Sequence, residues 1–305
     1  MANSLRERVL TWADSRRDRL IVQTVLGGFL SAHRKPALIQ EAELQQLLKQ
    51  KRIARSERQI PESTQREEMV SICIYAYERL ELLEKTYASL HRYLQEYGQT
   101  FSYELLFIHD GPNAQISAWA KDKPFTKVIF NEENRGLTHN MNELMFVHSR
   151  GKYILNIEDD WICEFKDNFI RGAIDILESN DSVGCVRLER KYPGDYKKWN
   201  EAFKIHQRRI SKEVFETPGA HPYRLLDANP ENGEGIYANS CTLFSFEALQ
   251  CAGFLPDEGV QRRDQERIYM KTFNSLWMAA RGEAQADSPF LHIGYGKSCP
   301  TWDTA

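Results

Sequence analysis

From Glu68 onward the chain alternates short, β-branched apolar runs with longer stretches whose apolar residues recur at helical spacing. Few folds accommodate that alternation. MVSICIYA reads as a buried strand, and ERLELLEKTYASLHRYLQEYG follows with Leu80, Leu83, Tyr87, Leu90 and Leu94 on one helical face. YELLFIHDG is the next strand, ISAWAKDK a short helix and TKVIFNEEN a third strand. LTHNMNELMFVHSRG reads as a helix, KYILNIEDDW as a strand, residues 168–179 as a helix and VGCVRLER as a strand. Strands separated by helices of about 10 to 20 residues form βαβ units, so an α/β domain with a mostly parallel sheet flanked by helices is expected. Residues 191–235 lose this periodicity and are rich in Tyr, Trp, Pro and charge, the pattern of a long binding loop.

Residues 1–67 differ. Leu5, Val9 and Trp12, then Ile21, Val25 and Phe29, recur at helical intervals, and ALIQEAELQQLLKQKRIA is rich in helix formers. RSERQIPESTQREE reads as a linker. The division expected is an N-terminal helical extension over 1–67 and an α/β domain over 68–305. The extension either packs on the domain or serves as a dimerisation or targeting arm.

Composition narrows the partners. Forty basic residues against forty-three acidic ones leave a formal charge of -3, which supplies no general attraction to nucleic acid or an anionic membrane. The six cysteines form no C-x-x-C pair, so they read as scattered reduced thiols rather than a zinc site. The most apolar early stretch, Leu20 to Ala32, is too short to span a bilayer, which needs about 20 residues. A soluble, cytoplasmic chain is expected, with peripheral membrane contact left open.

Five places carry chemistry. Glu158-Asp159-Asp160 follows the apolar run YILNI, and ligands of open α/β sheets bind outside the carboxyl ends of strands. Side chains two apart on a strand share a face, so Glu158 and Asp160 could converge on one divalent cation while Asp159 points elsewhere or reaches a ribose hydroxyl. A solvated acidic turn is the plainer alternative. Asp110, before Gly111, suits a base N–H or a ribose hydroxyl, or simply turn geometry. Asn134-Arg135-Gly136 lies between strand and helix, where Arg135 can pair with phosphate or stand as a surface arginine. His292, between Leu291 and Ile293, is either a satisfied core residue or a ligand. Asp264, with Glu266 second, opens a charged helix as a candidate base or as helix electrostatics alone. Tyr192, Tyr196, Trp199 and Tyr237 offer apolar faces with polar edges to a ligand or belong to a core.

Taken in order, these segments resemble the GT-A fold glycosyltransferases of the family 2 type, over roughly residues 68 to 296. MVSICIYAYERLELLEKTYASL looks like that family's opening strand and helix, and ELLFIHDGP like its second strand. NEENRGLTHNMNEL looks like the Asn-Arg-Gly segment, and YILNIEDDW like the strand bearing the D-x-D metal motif. The resemblance implies a nucleotide-sugar donor, UDP-linked or similar, a glycan or glycoconjugate acceptor, and Mn2+ or Mg2+. It implies donor contacts from Ala76, Tyr77, Arg79, Asp110, Arg135 and Asp159, metal ligation by Asp160 with Glu158 and His292, and Asp264 as general base of an inverting displacement. Trp199 and Tyr237 fall where the acceptor is expected.

Two departures stand out. Glu158 replaces the first aspartate of the metal motif. Arg263 takes the place of the family's glutamate beside the base, and an adjacent cation weakens a carboxylate as a base. Two other readings compete: a sugar-phosphate nucleotidyltransferase, which normally has a glycine-rich loop where this chain has AYERLE, and a non-catalytic carbohydrate-binding protein of degenerate transferase fold.

Overall fold

The computed structural model describes residues 66–190, 213–226, 241–257, 262–282 and 288–294. The expected N-terminal helices and the aromatic residues Tyr192, Tyr196, Trp199 and Tyr237 lie outside the described residues. Within them the expected alternation takes shape. β1 (Glu67–Ala76), α1 (Leu80–Tyr97), β2 (Tyr103–Asp110), α2 (Ala114–Lys121), β3 (Lys127–Asn131), α3 (Leu137–Asn142) and β4 (Gly151–Glu158) follow in order. They continue through β5 (Trp161–Cys163), α4 (Phe169–Ser179), β6 (Val183–Arg187), β7 (Glu189–Arg190), β8 (Phe215–Glu216) and β9 (Pro222–Leu226). The last are β10 (Thr242–Ser245), α5 (Phe246–Ala252), α6 (Arg262–Asn274), β11 (Met278–Gly282) and β12 (Phe290–His292).

Nine strands form one sheet in the order β3-β2-β1-β4-β10-β6-β11-β9-β8. Pairing is parallel from β3 through β4 and again between β6 and β11, so that only β9 and β10 run against the rest. The central strands β1 and β4 are buried on both faces, which is why their sequences read as continuous apolar runs rather than alternating ones. One face packs against α1, α2 and α4 through residues such as Leu83, Leu90, Ile116 and Ile174. The other packs against α3, α5 and α6 through Met141, Leu249 and Phe273. Asn113, Asn168 and Ser245 cap α2, α4 and α5 by accepting backbone N–H groups of the first turn.

Three sequence expectations are revised. The helix expected over LTHNMNELMFVHSRG is α-helical only to Asn142 and widens to a π-turn over Glu143–His148. VGCVRLER breaks at Leu188, giving β6 and β7 to different sheets. KYILNIEDDW is not one strand. β4 stops at Glu158, Asp159 and Asp160 form a turn, and Trp161 opens β5 in a second, three-stranded sheet of order β5-β12-β7. Glu158 and Asp160 therefore do not stand two apart on one strand, and alternation does not bring them together.

The five described cysteines are free and buried, and burial pushes the thiols of Cys163 and Cys185 up to about 12, which leaves them unreactive. Among the described residues no helix is long and apolar enough to cross a membrane.

Candidate active site

The parallel strands deliver the expected residues to one edge. Ala76 stands opposite His109, Tyr75 opposite Glu158, and Asp110 opposite Asn131, so the carboxyl ends of β1, β2, β3 and β4 lie side by side. Asp110 and the Glu158–Asp160 turn thus share a rim.

Asp110 is buried and fastens the loop that follows β3. The Arg135 N–H donates to its Oδ1 at 2.7 Å, the Gly136 N–H to its Oδ2 at 2.9 Å, and Asn131 Nδ2 to Oδ1 at 3.2 Å. Asn131 also donates to Asn140 in α3 at 2.7 Å. Gly136 holds a φ of 91°, which a side chain would strain, and it starts α3. The Arg135 side chain is left exposed at this rim. His109, buried one residue earlier, donates from Nε2 to the Tyr77 carbonyl at 3.0 Å, because a carbonyl can only accept. That bond ties the loop after β1 to β2, and burial lowers the His109 pKa and keeps the ring neutral.

Arg79 dominates the acidic turn. Its guanidinium reaches Asp160 Oδ2 at 2.7 Å and also pairs with Asp159 Oδ1. Asp159 therefore does not point away from Asp160. The two carboxylates flank one cation, the guanidinium of Arg79. Thr86 of α1 accepts from the Trp161 N–H and donates to the Asp159 carbonyl, both at 3.0 Å, which fixes the turn's backbone. His292 pairs with Trp161 across β12 and β5, and its Nε2 donates to Asp160 Oδ2 at 3.2 Å.

Charge is unevenly spread here. Burial, with Asp160, Glu266 and Asp159 nearby, raises the Glu158 carboxyl to about 8. Burial likewise raises Asp159 to about 6 against the pull of Arg79. For Asp160 burial is outweighed by the His292 hydrogen bond and the Arg79 charge, so its carboxyl stays below its ordinary value and remains ionised. A carboxyl raised above its unfolded value near 4.3 is protonated in the native chain while already ionised in the unfolded one, so stability falls as pH rises between them. In chelator-treated protein, Glu158→Gln is expected to melt level with the parent near pH 4 and several degrees above it at pH 8.5. Parallel melting curves across that range would remove the basis for a raised Glu158.

Two buried oxygens, Asp159 Oδ2 and Asp160 Oδ1, have no hydrogen-bond partner among the described residues. An orphaned carboxylate oxygen is costly unless something positive meets it. Two such oxygens on adjacent residues, with an imidazole alongside, suit a hard divalent cation. Among the described residues no group of three or more His, Cys, Asp or Glu is gathered tightly enough to hold one alone. Mg2+-type sites take one or two carboxylates and complete their shell with water and substrate phosphates. Gly294 lies against this point, and a methyl there would sit 2.2 Å from Asp160 Oδ2. Gly294→Ala is expected to cost about 1–3 kcal/mol in urea unfolding through that overlap; unchanged stability would mean that Asp160 has room to move.

Asp264 lies in the first turn of α6, and its side chain lies outside the described ones. Its neighbour Gln265 is buried, accepts from Thr138 Oγ1 of α3 at 2.6 Å, and donates to the Asp257 carbonyl at 3.2 Å. The start of α6 is thereby pinned beside the loop that Asp110 holds. Sequence reading did not single out Thr86, Thr138 or Gln265. Each acts through a partner remote along the chain, and no local pattern marks such a pair.

Residues 71–253 match the family model described as Glycosyl transferase family 2. No curated protein is matched by the sequence. Among solved structures, S. aureus TarS 1-349 in complex with UDP-GlcNAc superposes with a TM-score of 0.55 at 11% identity, over 78% of this chain and 61% of that one. The mannosyltransferase PcManGT from Pyrobaculum calidifontis, in complex with GDP-Man and Mn2+, gives 0.51 at 14% identity over 93% and 71%. The chain spans about three fifths of that TarS fragment. At these identities the likeness is one of fold, a nine-stranded, mostly parallel sheet flanked by helices of the GT-A type.

Proposed function

This chain belongs to glycosyl transferase family 2, and from that premise we propose that it moves a hexose from a nucleoside-diphosphate donor, UDP-linked, to an acceptor hydroxyl in a metal-dependent, inverting displacement. The observation that carries the proposal is the convergence, on one sheet rim, of the loop fastened by Asp110 and the acidic turn gripped by Arg79 and His292.

In this reading Ala76, Tyr77 and the Asp110 loop border the nucleoside, and Arg135 reaches the diphosphate. Arg79 balances the charges of Asp159 and Asp160. Mn2+ or Mg2+ held by Asp160, with Glu158, Asp159 and His292 at hand, would offset the charge of the departing diphosphate, an effect worth several kcal/mol. Asp160 stays ionised for that task because Arg79 and His292 keep it so. Asp264 takes the proton of the acceptor hydroxyl as it attacks the anomeric carbon from the side opposite the leaving group. Asp110 keeps the rim in shape by satisfying two backbone N–H groups that would otherwise be orphaned beside the ligand.

Two bound neighbours lend the donor class support: the TarS fragment carries UDP-GlcNAc, and PcManGT carries GDP-Man with Mn2+. The test is a thermal-shift series with UDP, GDP and their sugars, each with and without Mn2+. Binding raises the midpoint with ligand concentration over dissociation constant. A rise with UDP that requires Mn2+ is expected; no response to any nucleoside diphosphate would sink the proposal.

A further inference from the structure

Helix α3 is held from two sides. On one side Asp110 accepts the Arg135 and Gly136 N–H groups just before the first turn, and Asn131 Nδ2 donates to Asn140 Oδ1 within the helix. On the other, polar ties run to α6 and to the loop that leads into it. Thr138 Oγ1 donates to Gln265 Oε1 at 2.6 Å. Asn142 Nδ2 donates to the Leu255 carbonyl and its Oδ1 accepts from the Leu255 N–H, both at 2.9 Å. His139 Nδ1 meets Asp257 Oδ2 at 3.4 Å, and the Asp257 carbonyl accepts from Gln265 Nε2 at 3.2 Å. Thr138 and Asn142 stand four apart and so share one face of the helix.

Apolar contact holds two helices together without fixing how they slide, because it has no direction. Met141 of α3 and Tyr269, Met270 and Phe273 of α6 belong to one apolar cluster and supply that part. The hydrogen bonds add register. The Gln265 amide is used at both ends, as acceptor toward α3 and as donor toward Asp257, which leaves it one orientation. Thr138, Asn142 and Gln265 are all buried, so a slip between α3 and α6 would strand their polar atoms away from water. Gly136, whose N–H Asp110 accepts, and Thr138, whose hydroxyl Gln265 accepts, lie two residues apart. The loop fastened by Asp110 and the first turn of α6 are therefore joined through a single turn of α3.

We infer that Thr138 and Gln265 are positioning residues for transfer: through α3 they set the first turn of α6 against the loop that Asp110 fastens. Nucleotide engagement at that loop is passed on to the start of α6, and the helix that carries the base takes its working position once the donor is in place. Neither side chain touches the reacting atoms; both act by holding backbone. A misplacement of about 1 Å at a reacting group costs on the order of 10²-fold in rate, so the register of α6 bears on turnover as well as on stability. The inference rests on the transferase reading above for its consequence, though the ties themselves stand without it.

The test is hydrogen–deuterium exchange on the full chain, with and without UDP and Mn2+, in the parent, Thr138→Val, Thr138→Ser and Gln265→Met. In the parent, UDP is expected to slow exchange at residues 131–137 and also at residues 262–268. Thr138→Val keeps the shape and loses the hydroxyl; it is expected to keep the first effect and lose the second, and Gln265→Met, which serves should the valine variant not fold, to do the same. Thr138→Ser retains the hydroxyl and is expected to restore both effects. Nucleotide release from saturating UDP-GlcNAc, the donor probe, is expected to fall about 3- to 10-fold in Thr138→Val, the worth of one neutral hydrogen bond, while UDP affinity changes little. Slowing at 262–268 that persists undiminished in Thr138→Val and Gln265→Met, or slowing in the parent at 131–137 alone, would overturn the inference. Failure of the donor reading shows separately, as absence of any UDP effect on the parent chain, and takes this inference with it.

Discussion

Asp160→Asn is expected to lower glycosyl transfer by about 10³-fold while leaving the fold in place. The side chain keeps its shape, so Arg79 and His292 retain an oxygen to donate to, and the Asp160 carbonyl still accepts from the Ile293 N–H at 2.9 Å. What disappears is the negative charge that would hold a divalent cation beside the leaving diphosphate. Electrostatic assistance there is worth several kcal/mol, and each 1.36 kcal/mol is about tenfold in rate. Nucleotide release measured under saturating donor, alongside a melting curve, separates lost chemistry from lost structure. Parent-like turnover in Asp160→Asn would move the cation's ligand elsewhere on the rim.

Asp264→Asn is expected to slow transfer by about 10²- to 10⁴-fold, the usual worth of a positioned general base, with donor affinity unchanged. The separation is physical. The start of α6 is held by Gln265 through Thr138 and the Asp257 carbonyl, neither of which depends on the Asp264 carboxyl, so the donor rim survives the substitution. The acid limb of the rate–pH profile should vanish in the variant, because the group that must lose its proton is gone. Near-normal turnover with an unaltered acid limb would assign the base to another residue, Glu266 first.

Much of the frame was legible from pattern alone, because the parallel strands advertise themselves locally. β1, β2 and β4 are buried on both faces, and nothing but an apolar run of strand length satisfies that condition. The antiparallel strand β10 was not legible. Thr242–Ser245 has four residues and takes its place between β4 and β6 only through pairing with residues 153–156 and 185–187, which no local window contains. The same limit applies at the site. Asp110, Asp160 and His292 each stood out by position in the sequence, at a strand end or between apolar neighbours. The grip of Arg79 on Asp159 and Asp160 joins residues 80 positions apart or more, and it replaced the expected alternation of Glu158 and Asp160 along one strand. Arg187, Arg281 and Arg224 stand opposite one another on β6, β11 and β9, and only the strand order makes them neighbours.

The rim is read as a place where carboxylates from the end of β4 and a nucleoside diphosphate share one cation. Titrating Mn2+ into the chain with UDP present, and following free Mn2+ by electron paramagnetic resonance, asks for that directly. One ion taken up per chain when UDP is present, and none by Asp160→Asn under the same conditions, is the result this structure predicts. Free Mn2+ rising from the first addition in the parent chain, at any UDP concentration, would contradict it.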